Sequence, residues 1–156
     1  MTQGPGDTLN LHATTLVAGE AGVLIRGPAG SGKTRLALAV VADRRRAGGF
    51  AALVADDRTL LVRHGDRLVA RPHPAVAGLI ERRGLGIEPV DHEPACVLAL
   101  VVDLVDGWPE RLPDPEARRC TVHGVTLPRL AIGREAATPD AVALISADLA
   151  CRVRSA

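Results

Sequence analysis

The chain has 156 residues, of which 47% are hydrophobic, and a formal net charge of +1. That length fits one domain with a sizeable core, and the scattered basic residues of a nearly neutral chain argue against nucleic-acid binding. No signal peptide pattern or apolar run long enough to span a bilayer is present, so we expect a cytoplasmic protein without a membrane partner. Because Phe50 and Trp108 are the only aromatic residues, the core must be aliphatic.

The N-terminal third of the chain begins with a polar, glycine-rich segment at 1–7, which we expect to be a flexible N-terminus ahead of one domain at 8–156. The next apolar run, at 9–17, predicts a strand that turns into a second strand. If the two strands form a tight hairpin in regular register, His12 lies opposite Gly27.

Lysine occurs once in this chain, at position 33, against eighteen arginines. An ammonium on a flexible stem reaches between nucleotide phosphates in a way that a planar guanidinium does not, so this position indicates a need for an ammonium. The lysine completes a G-x-x-x-x-G-K-T phosphate-binding loop, which consists of Gly27, Pro28, Ala29, Gly30, Ser31, Gly32, Lys33 and Thr34. Backbone N–H groups of such a loop cradle phosphates at a helix N-terminus, so the segment predicts nucleotide binding.

Apolar periodicity, glycine pairs and prolines define the remaining elements. They are a helix at 33–46, a strand at 50–55, a hairpin turning at 65–66, a helical turn at 75–80, a strand at 97–104, a loop at 107–118, a hairpin turning at 123–124 and a helix at 140–153. Hairpins interleaved with only two long helices favour a mixed sheet over a purely parallel one. The predicted fold class is therefore α/β: a single P-loop domain with a mixed, hairpin-rich sheet and few helices.

Two apolar strands end in carboxylates that could serve a phosphoryl-transfer site. One strand ends in Asp56 and Asp57, and the other ends near Asp103. Because successive strand residues face opposite sides, a regular strand would direct only one of the paired carboxylates at a nucleotide. Either strand end resembles the acidic end that accompanies a phosphate-binding loop, and turn or helix-capping roles are the alternatives.

The three cysteines are Cys96, Cys120 and Cys151, which are widely spaced and form no C-x-x-C pair. This spacing predicts reduced, mostly buried thiols rather than a metal site.

Three further segments stand out: Ile80-Glu81-Arg82-Arg83-Gly84-Leu85-Gly86-Ile87, Leu53-Val54-Ala55-Asp56-Asp57 and Leu11-His12-Ala13. They resemble, in that order, the signature, the acidic element and the histidine element of the HPr kinase/phosphorylase family. With the phosphate-binding loop, the four motifs stand in the family's order and cover roughly 9–130. The resemblance implies an HPr kinase/PEP carboxykinase-like fold in a short form made of the C-terminal catalytic domain.

The resemblance also implies a reaction, the ATP- and Mg²⁺-dependent phosphorylation of a serine on HPr, a small phosphocarrier of the bacterial phosphotransferase system. In that reaction Lys33 would bind the β- and γ-phosphates. Thr34 and Glu81 would ligate Mg²⁺, and Asp56 would be a metal ligand or a partner of the neighbouring aspartate.

The remaining roles that the resemblance implies concern the transferred group. Asp57 would accept the proton of the attacking serine, and His12 would support that carboxylate. Arg111 would match a family arginine that stabilises the transferring phosphoryl group. The family forms hexamers, so a homo-oligomer is expected.

The chain departs from the family pattern at several points. Residues 130–135 replace the family's P-x-R-P-G-R-N-like stretch, which puts the reverse, phosphorolytic reaction in doubt. Arg82 stands where an aliphatic residue is usual, and Glu88 with Pro89 follows the signature.

Two other functions remain open from the residues alone: a P-loop kinase of small molecules, and a nucleotide-sensing protein without turnover. A guanine-specific switch is less favoured, because its N-K-x-D element needs a second lysine.

Overall fold

The computed structural model describes residues 7–155, so the flexible N-terminus predicted at 1–7 lies, except for Asp7, outside the described residues. Within that range the chain forms eleven strands, two α-helices and one short 3-10 helix. In chain order these are β1 (Leu9–Leu11), β2 (Ala13–Ala18), β3 (Ala21–Arg26), α1 (Lys33–Arg46), β4 (Ala51–Ala55), β5 (Thr59–His64), β6 (Arg67–Pro72), β7 (Leu79–Arg82), β8 (Gly86–Pro89), β9 (Cys96–Val105), the 3-10 helix (Pro115–Arg118), β10 (Arg119–Val122), β11 (Val125–Gly133) and α2 (Thr138–Ser155).

Nine strands form one mixed sheet in the order β1-β5-β6-β9-β3-β2-β4, with β11 beside β9 and β10 beside β11. Strands β3 and β11 run parallel to β9, and β3 and β4 are both antiparallel to β2. Four parallel strands, β3, β4, β9 and β11, therefore deliver their carboxyl ends to one edge of the sheet, where ligands bind in open α/β folds. The separate hairpin β7–β8 forms a second, two-stranded sheet.

Aliphatic side chains cover both faces of the main sheet. On one face, residues such as Val23, Ile25 and Val102 pack with α1 and α2. On the other face, residues such as Leu24 and Val101 pack with the hairpins β5–β6 and β10–β11. Phe50 is 54% exposed and Trp108 is 83% exposed, so the expectation of an aliphatic core is confirmed.

The structure confirms the predicted fold class and several local elements. Helix α1 has the predicted bounds, and Ala13 pairs with Arg26 in the predicted hairpin register. The single strand predicted at 9–17 is two strands, because β1 pairs with β5 while β2 pairs with β3 and β4, and His12 lies at the break.

The prediction of a helical turn at 75–80 is wrong. Residues 74–78 form turns, and Leu79 begins β7, which pairs with the strand β8 that the sequence pattern did not predict. Both strands are four residues long and mostly exposed, so they carry little apolar alternation.

Neither α-helix in the described part of the chain is long and apolar enough to cross a membrane. All three cysteines, which lie within 7–155, are free thiols, as predicted. The expectation that they are mostly buried is wrong, because only Cys96 is buried, whereas Cys120 is half-buried and Cys151 is exposed.

Candidate nucleotide-binding site

The phosphate-binding loop connects the end of β3 to the start of α1. Gly30 and Gly32 adopt φ of 76° and 93°, the left-handed region that favours glycine, and a Cβ at either position would meet no atom within 4 Å. Glycine is needed there for backbone conformation rather than for space. No side chain of the described residues caps the N-terminus of α1, so its first N–H groups remain available to an anion.

The side chain of Lys33 holds the loop together from within. It is 5% exposed, and its Nζ donates to Gly27 O at 2.9 Å and to Pro28 O at 3.1 Å. An ammonium has three donors, so one N–H remains for a phosphate. The loop is thus shaped around the ammonium, which accounts for a lysine rather than an arginine at this position.

Asp56 connects the end of β4 to the phosphate-binding loop. Its Oδ1 accepts from Thr34 Oγ1 at 2.6 Å and from Thr14 Oγ1 at 3.1 Å, and the residue is buried. The structure therefore brings together Thr34 and Asp56, both predicted as metal ligands. Sequence reasoning did not single out Thr14, although the adjacent threonines Thr14 and Thr15 within the apolar run 9–17 were a usable signal.

Asp57 lies at the mouth of the loop beside His12. His12 Nε2 and Asp57 Oδ1 are 2.6 Å apart, and the two side chains are 51% and 60% exposed. Asp57 has φ of 64°, an uncommon conformation for a residue other than glycine, and its N–H donates to Thr14 Oγ1 at 3.2 Å. The structure thus places His12 in contact with Asp57, the carboxylate that the family resemblance expects it to support.

His12, Lys33, Thr34, Asp56 and Asp57 line one cleft with a volume of about 1010 Å³. The phosphate-binding loop and the acidic end of β4 form one wall, and the hairpin β7–β8 forms the opposite wall. Glu81, predicted as a second metal ligand, lies on that hairpin and lines the cleft. Leu85 and Ile87, at the rim, are 73% and 71% exposed.

Two departures from the family signature form an ion pair with each other. Arg82 Nε lies 2.6 Å from Glu88 Oε2, across the hairpin β7–β8. Both side chains are substantially exposed, so the pair adds little stability. Because Arg82 is half exposed, a charged side chain at this position stays in contact with solvent.

Asp103, the alternative strand-end carboxylate, points away from this cleft. Its neighbours Val102 and Leu104 pack on the helix side of the sheet, so Asp103 faces the other side. There Arg26 donates to both of its oxygens, at 2.7 and 2.8 Å, and Arg129 Nε donates to Oδ2 at 2.5 Å.

The environment of Asp103 favours a permanently charged cluster. Burial alone would raise the pKa of Asp103, but hydrogen bonds and charges from Arg26 and Arg129 outweigh it and hold that pKa below its ordinary value. The hydrogen bond with Asp103 in turn raises the pKa of Arg26. Asp103 is a structural ion-pair residue and not a group of the cleft.

Arg111, the predicted arginine for the transferred phosphoryl group, lies in the segment after β9. It is exposed and does not belong to the described residues that line the cleft. The structure therefore does not bring Arg111 together with Lys33 and Asp57, and its role stays a prediction.

The residues of the cleft fit Mg²⁺ and nucleotide phosphates, although residues 7–155 contain no group of three His, Cys, Asp or Glu side chains that could hold a metal by themselves. Mg²⁺ usually takes only one or two protein carboxylates and completes its shell with phosphates and water. The Asp56 carboxylate and the Thr34 hydroxyl share one hydrogen bond at the loop, which is a donor set of that kind.

The fold and the cleft together define a P-loop α/β domain with acidic groups at the carboxyl edge of its sheet. The family described as HPr Serine kinase C-terminal domain matches residues 6–93, and the chain belongs to this family. The resemblance stated from the sequence motifs is thereby confirmed.

Known relatives agree with that assignment. An HPr kinase/phosphorylase of Neisseria meningitidis is 33% identical over 144 residues, which cover 81% of this chain and 43% of the relative. An HPr kinase/phosphorylase of Mycoplasma mycoides is 34% identical over 80 residues, which cover 51% of this chain and 24% of the relative. The chain thus spans less than half the length of these relatives.

The structure of the Hpr(Ser) kinase/phosphatase from Coxiella burnetii superposes with a TM-score of 0.73 at 25% sequence identity. The match covers 94% of this chain and 98% of that one, so the similarity extends over nearly the whole of both chains.

Proposed function

We propose that this chain is the catalytic domain of an ATP- and Mg²⁺-dependent protein-serine kinase whose acceptor is an HPr-type phosphocarrier protein. The observation that carries the proposal is the convergence of Lys33, Asp56 and the His12–Asp57 pair on one cleft. Phosphoryl transfer asks a protein mainly for positioning and charge stabilisation, and these residues supply both. The names of the relatives support the choice of acceptor.

The phosphate end of ATP would lie over the loop. The uncapped N–H groups at the start of α1 and the remaining donor of Lys33 would bind the phosphates. Thr34, Asp56 and Glu81 would hold Mg²⁺, which neutralises charge on the transferred group when it is bound.

Asp57 would act as the general base for the acceptor serine. One of its oxygens contacts His12, which leaves the other free to accept the hydroxyl proton as the serine oxygen attacks the γ-phosphorus. His12 would hold the carboxylate in that orientation. Both side chains are about half exposed, so an acceptor can approach them from solvent.

The shape of the cleft favours a protein acceptor over a small molecule. Small-molecule sites enclose most of their ligand, whereas this cleft has exposed apolar side chains, Leu85 and Ile87, at its rim. A P-loop kinase of metabolites and a nucleotide sensor without turnover remain the competing functions.

Several further properties implied by the family resemblance stay predictions. These are a homo-hexamer and participation in a phosphotransferase-system phosphorelay. The cytoplasmic location predicted from the sequence and the doubt that residues 130–135 put on the reverse reaction also stay predictions.

The test is phosphate transfer from labelled ATP with Mg²⁺ to the host's HPr-type protein, run beside a panel of metabolites. We expect label on a serine of the protein. Label on a metabolite alone would identify a small-molecule kinase, and nucleotide binding without any transfer would identify a sensor. Lys33→Arg is expected to abolish transfer, while Arg46→Lys, at the far end of α1, serves as the matched control.

A further inference from the structure

An irregularity in β4 determines which carboxylate faces the phosphate-binding loop. Leu16 pairs with Leu53, but the next residue of β2, Thr15, pairs with Ala55, so Val54 is an extra residue. Such a bulge changes the face to which the following side chains point, and bulges concentrate beside active sites. Without it, strand alternation from Leu53 would direct Asp56 to the face opposite α1.

Thr14 is the residue of β2 that contacts the segment following the bulge in β4. It is fully buried, and its single hydroxyl forms hydrogen bonds with both Asp56 and Asp57. The hydroxyl donates to Asp56 Oδ1 at 3.1 Å and accepts the N–H of Asp57 at 3.2 Å. Since Asp57 has a left-handed φ of 64°, this N–H contact helps to hold a conformation that the backbone does not favour by itself.

We infer that Thr14 is a positioning residue that sets the relative placement of Asp56 and Asp57 for phosphoryl transfer. The expected effect of Thr14 on turnover rests on the proposed function. The hydroxyl acts through the two aspartates and not on the substrates, because Thr14 is fully buried and does not belong to the described lining of the cleft. A small misplacement of either carboxylate is enough to slow a reaction that depends on alignment.

The neighbouring Thr15 provides a matched control. It is equally buried, but its hydroxyl contacts Thr59 Oγ1 at 2.9 Å. Thr59 donates its proton to Ala13 O, so Thr15 is the donor in the threonine pair. Thr15→Val removes one buried hydroxyl from the same strand without touching either aspartate.

The experiment compares Thr14→Val, Thr14→Ser and Thr15→Val with the unaltered chain. We expect Thr14→Val to lower kcat about ten- to a hundredfold while KM for ATP changes less. Thr14→Ser keeps the hydroxyl and should restore most of kcat, and Thr15→Val should stay near the starting value. Denaturant unfolding establishes that all the variants are folded under the assay conditions.

A second measurement does not depend on turnover. Solvent exchange of the Asp57 amide proton, followed by NMR, should become about tenfold faster in Thr14→Val, the factor that one ordinary hydrogen bond is worth. It should be unchanged in Thr14→Ser and Thr15→Val. If no acceptor is phosphorylated, the proposed function fails, while this comparison still decides the role of Thr14.

Three outcomes would overturn the inference. They are a Thr14→Val variant with unchanged kcat or unchanged Asp57 exchange, a Thr15→Val variant that loses as much activity, and a Thr14→Ser variant as impaired as Thr14→Val.

Discussion

Two strand ends in this molecule look alike in sequence and differ in structure. Both β4 and β9 are apolar strands that run parallel to β3, and an aspartate pair follows β4 directly while Asp103 lies two residues before the end of β9. At β4, hydroxyl groups surround Asp56, and Asp57 opens to a cleft. At β9, two guanidinium groups enclose Asp103.

The difference shows that the partners of a carboxylate decide its use. Hydroxyl donors orient an aspartate but leave its charge uncompensated, so the group can still attract a cation. Two arginines neutralise the aspartate and occupy its oxygens, which leaves a structural link between β3, β9 and β11. Substitutions at the two strand ends should therefore separate activity from stability.

The largest expected effect is on turnover at β4. Asp57→Asn should lower kcat by about 10³-fold, because it removes the proposed proton acceptor. Asparagine tolerates the left-handed backbone, so stability should change by less than about 0.5 kcal/mol. Phosphate transfer and denaturant unfolding measure the two quantities, with Asp66→Asn in an exposed hairpin turn as control. A kcat close to that of the control would remove Asp57 from the mechanism.

The corresponding change at β9 should act on stability instead. Asp103→Asn leaves Arg26 and Arg129 without their counter-charge, and we expect a loss of about 3 kcal/mol in the free energy of unfolding. Because Asp103 faces away from the cleft, kcat should stay near its original value at temperatures where the variant is folded. Unchanged stability together with a large loss of kcat would reverse the roles assigned to the two strand ends.

Acidification should narrow the stability difference between the original chain and Asp103→Asn. The folded-state pKa of Asp103 is lowered, so its contribution is fully present above the ordinary value of 3.8 and is lost as pH falls through the folded-state pKa. Unfolding curves from neutral pH down to the acid limit of folding test this. A difference that widens on acidification would contradict the assigned direction of the shift.

The smallest expected effect concerns the reactivity of the thiols, one of which lies near the ion pairs of Asp103 with Arg26 and Arg129. Cys151 is exposed and should react first, whereas burial raises the pKa of Cys96 to about 12 and should protect it. Burial also raises the pKa of Cys120; the charges of Arg26 and Arg129 oppose that shift, and the charge of Asp103 adds to it. Asp103→Asn should therefore speed labelling of Cys120 a few-fold, as read by mass spectrometry. Equal labelling rates of Cys120 in the original chain and in Asp103→Asn would show that the charge of Asp103 does not control this thiol.

Local patterns were sufficient to predict the parts of the fold that depend on near neighbours. The glycine-rich loop, the bounds of α1 and the hairpin register of β2 and β3 all follow from short-range periodicity and turn chemistry. The register of the β2–β3 hairpin also predicts that His12 lies near the phosphate-binding loop.

The parts that were not predictable depend on distant contacts. The arginines that enclose Asp103 come from positions 77 and 26 residues away in sequence, so the apolar strand pattern does not reveal them. The bulge at Val54 likewise depends on the register between β2 and β4, which the residues of β4 alone do not encode.

The buried ammonium of Lys33 has a practical consequence for chemical work on this protein. Because the sequence contains no other lysine, an acylating reagent aimed at side-chain amines has one target, and that target lies inside the phosphate-binding loop. With the side chain 5% exposed, acylation must wait for the loop to open. The rate of that modification therefore reports loop motion at a single site, and a bound nucleotide should slow it.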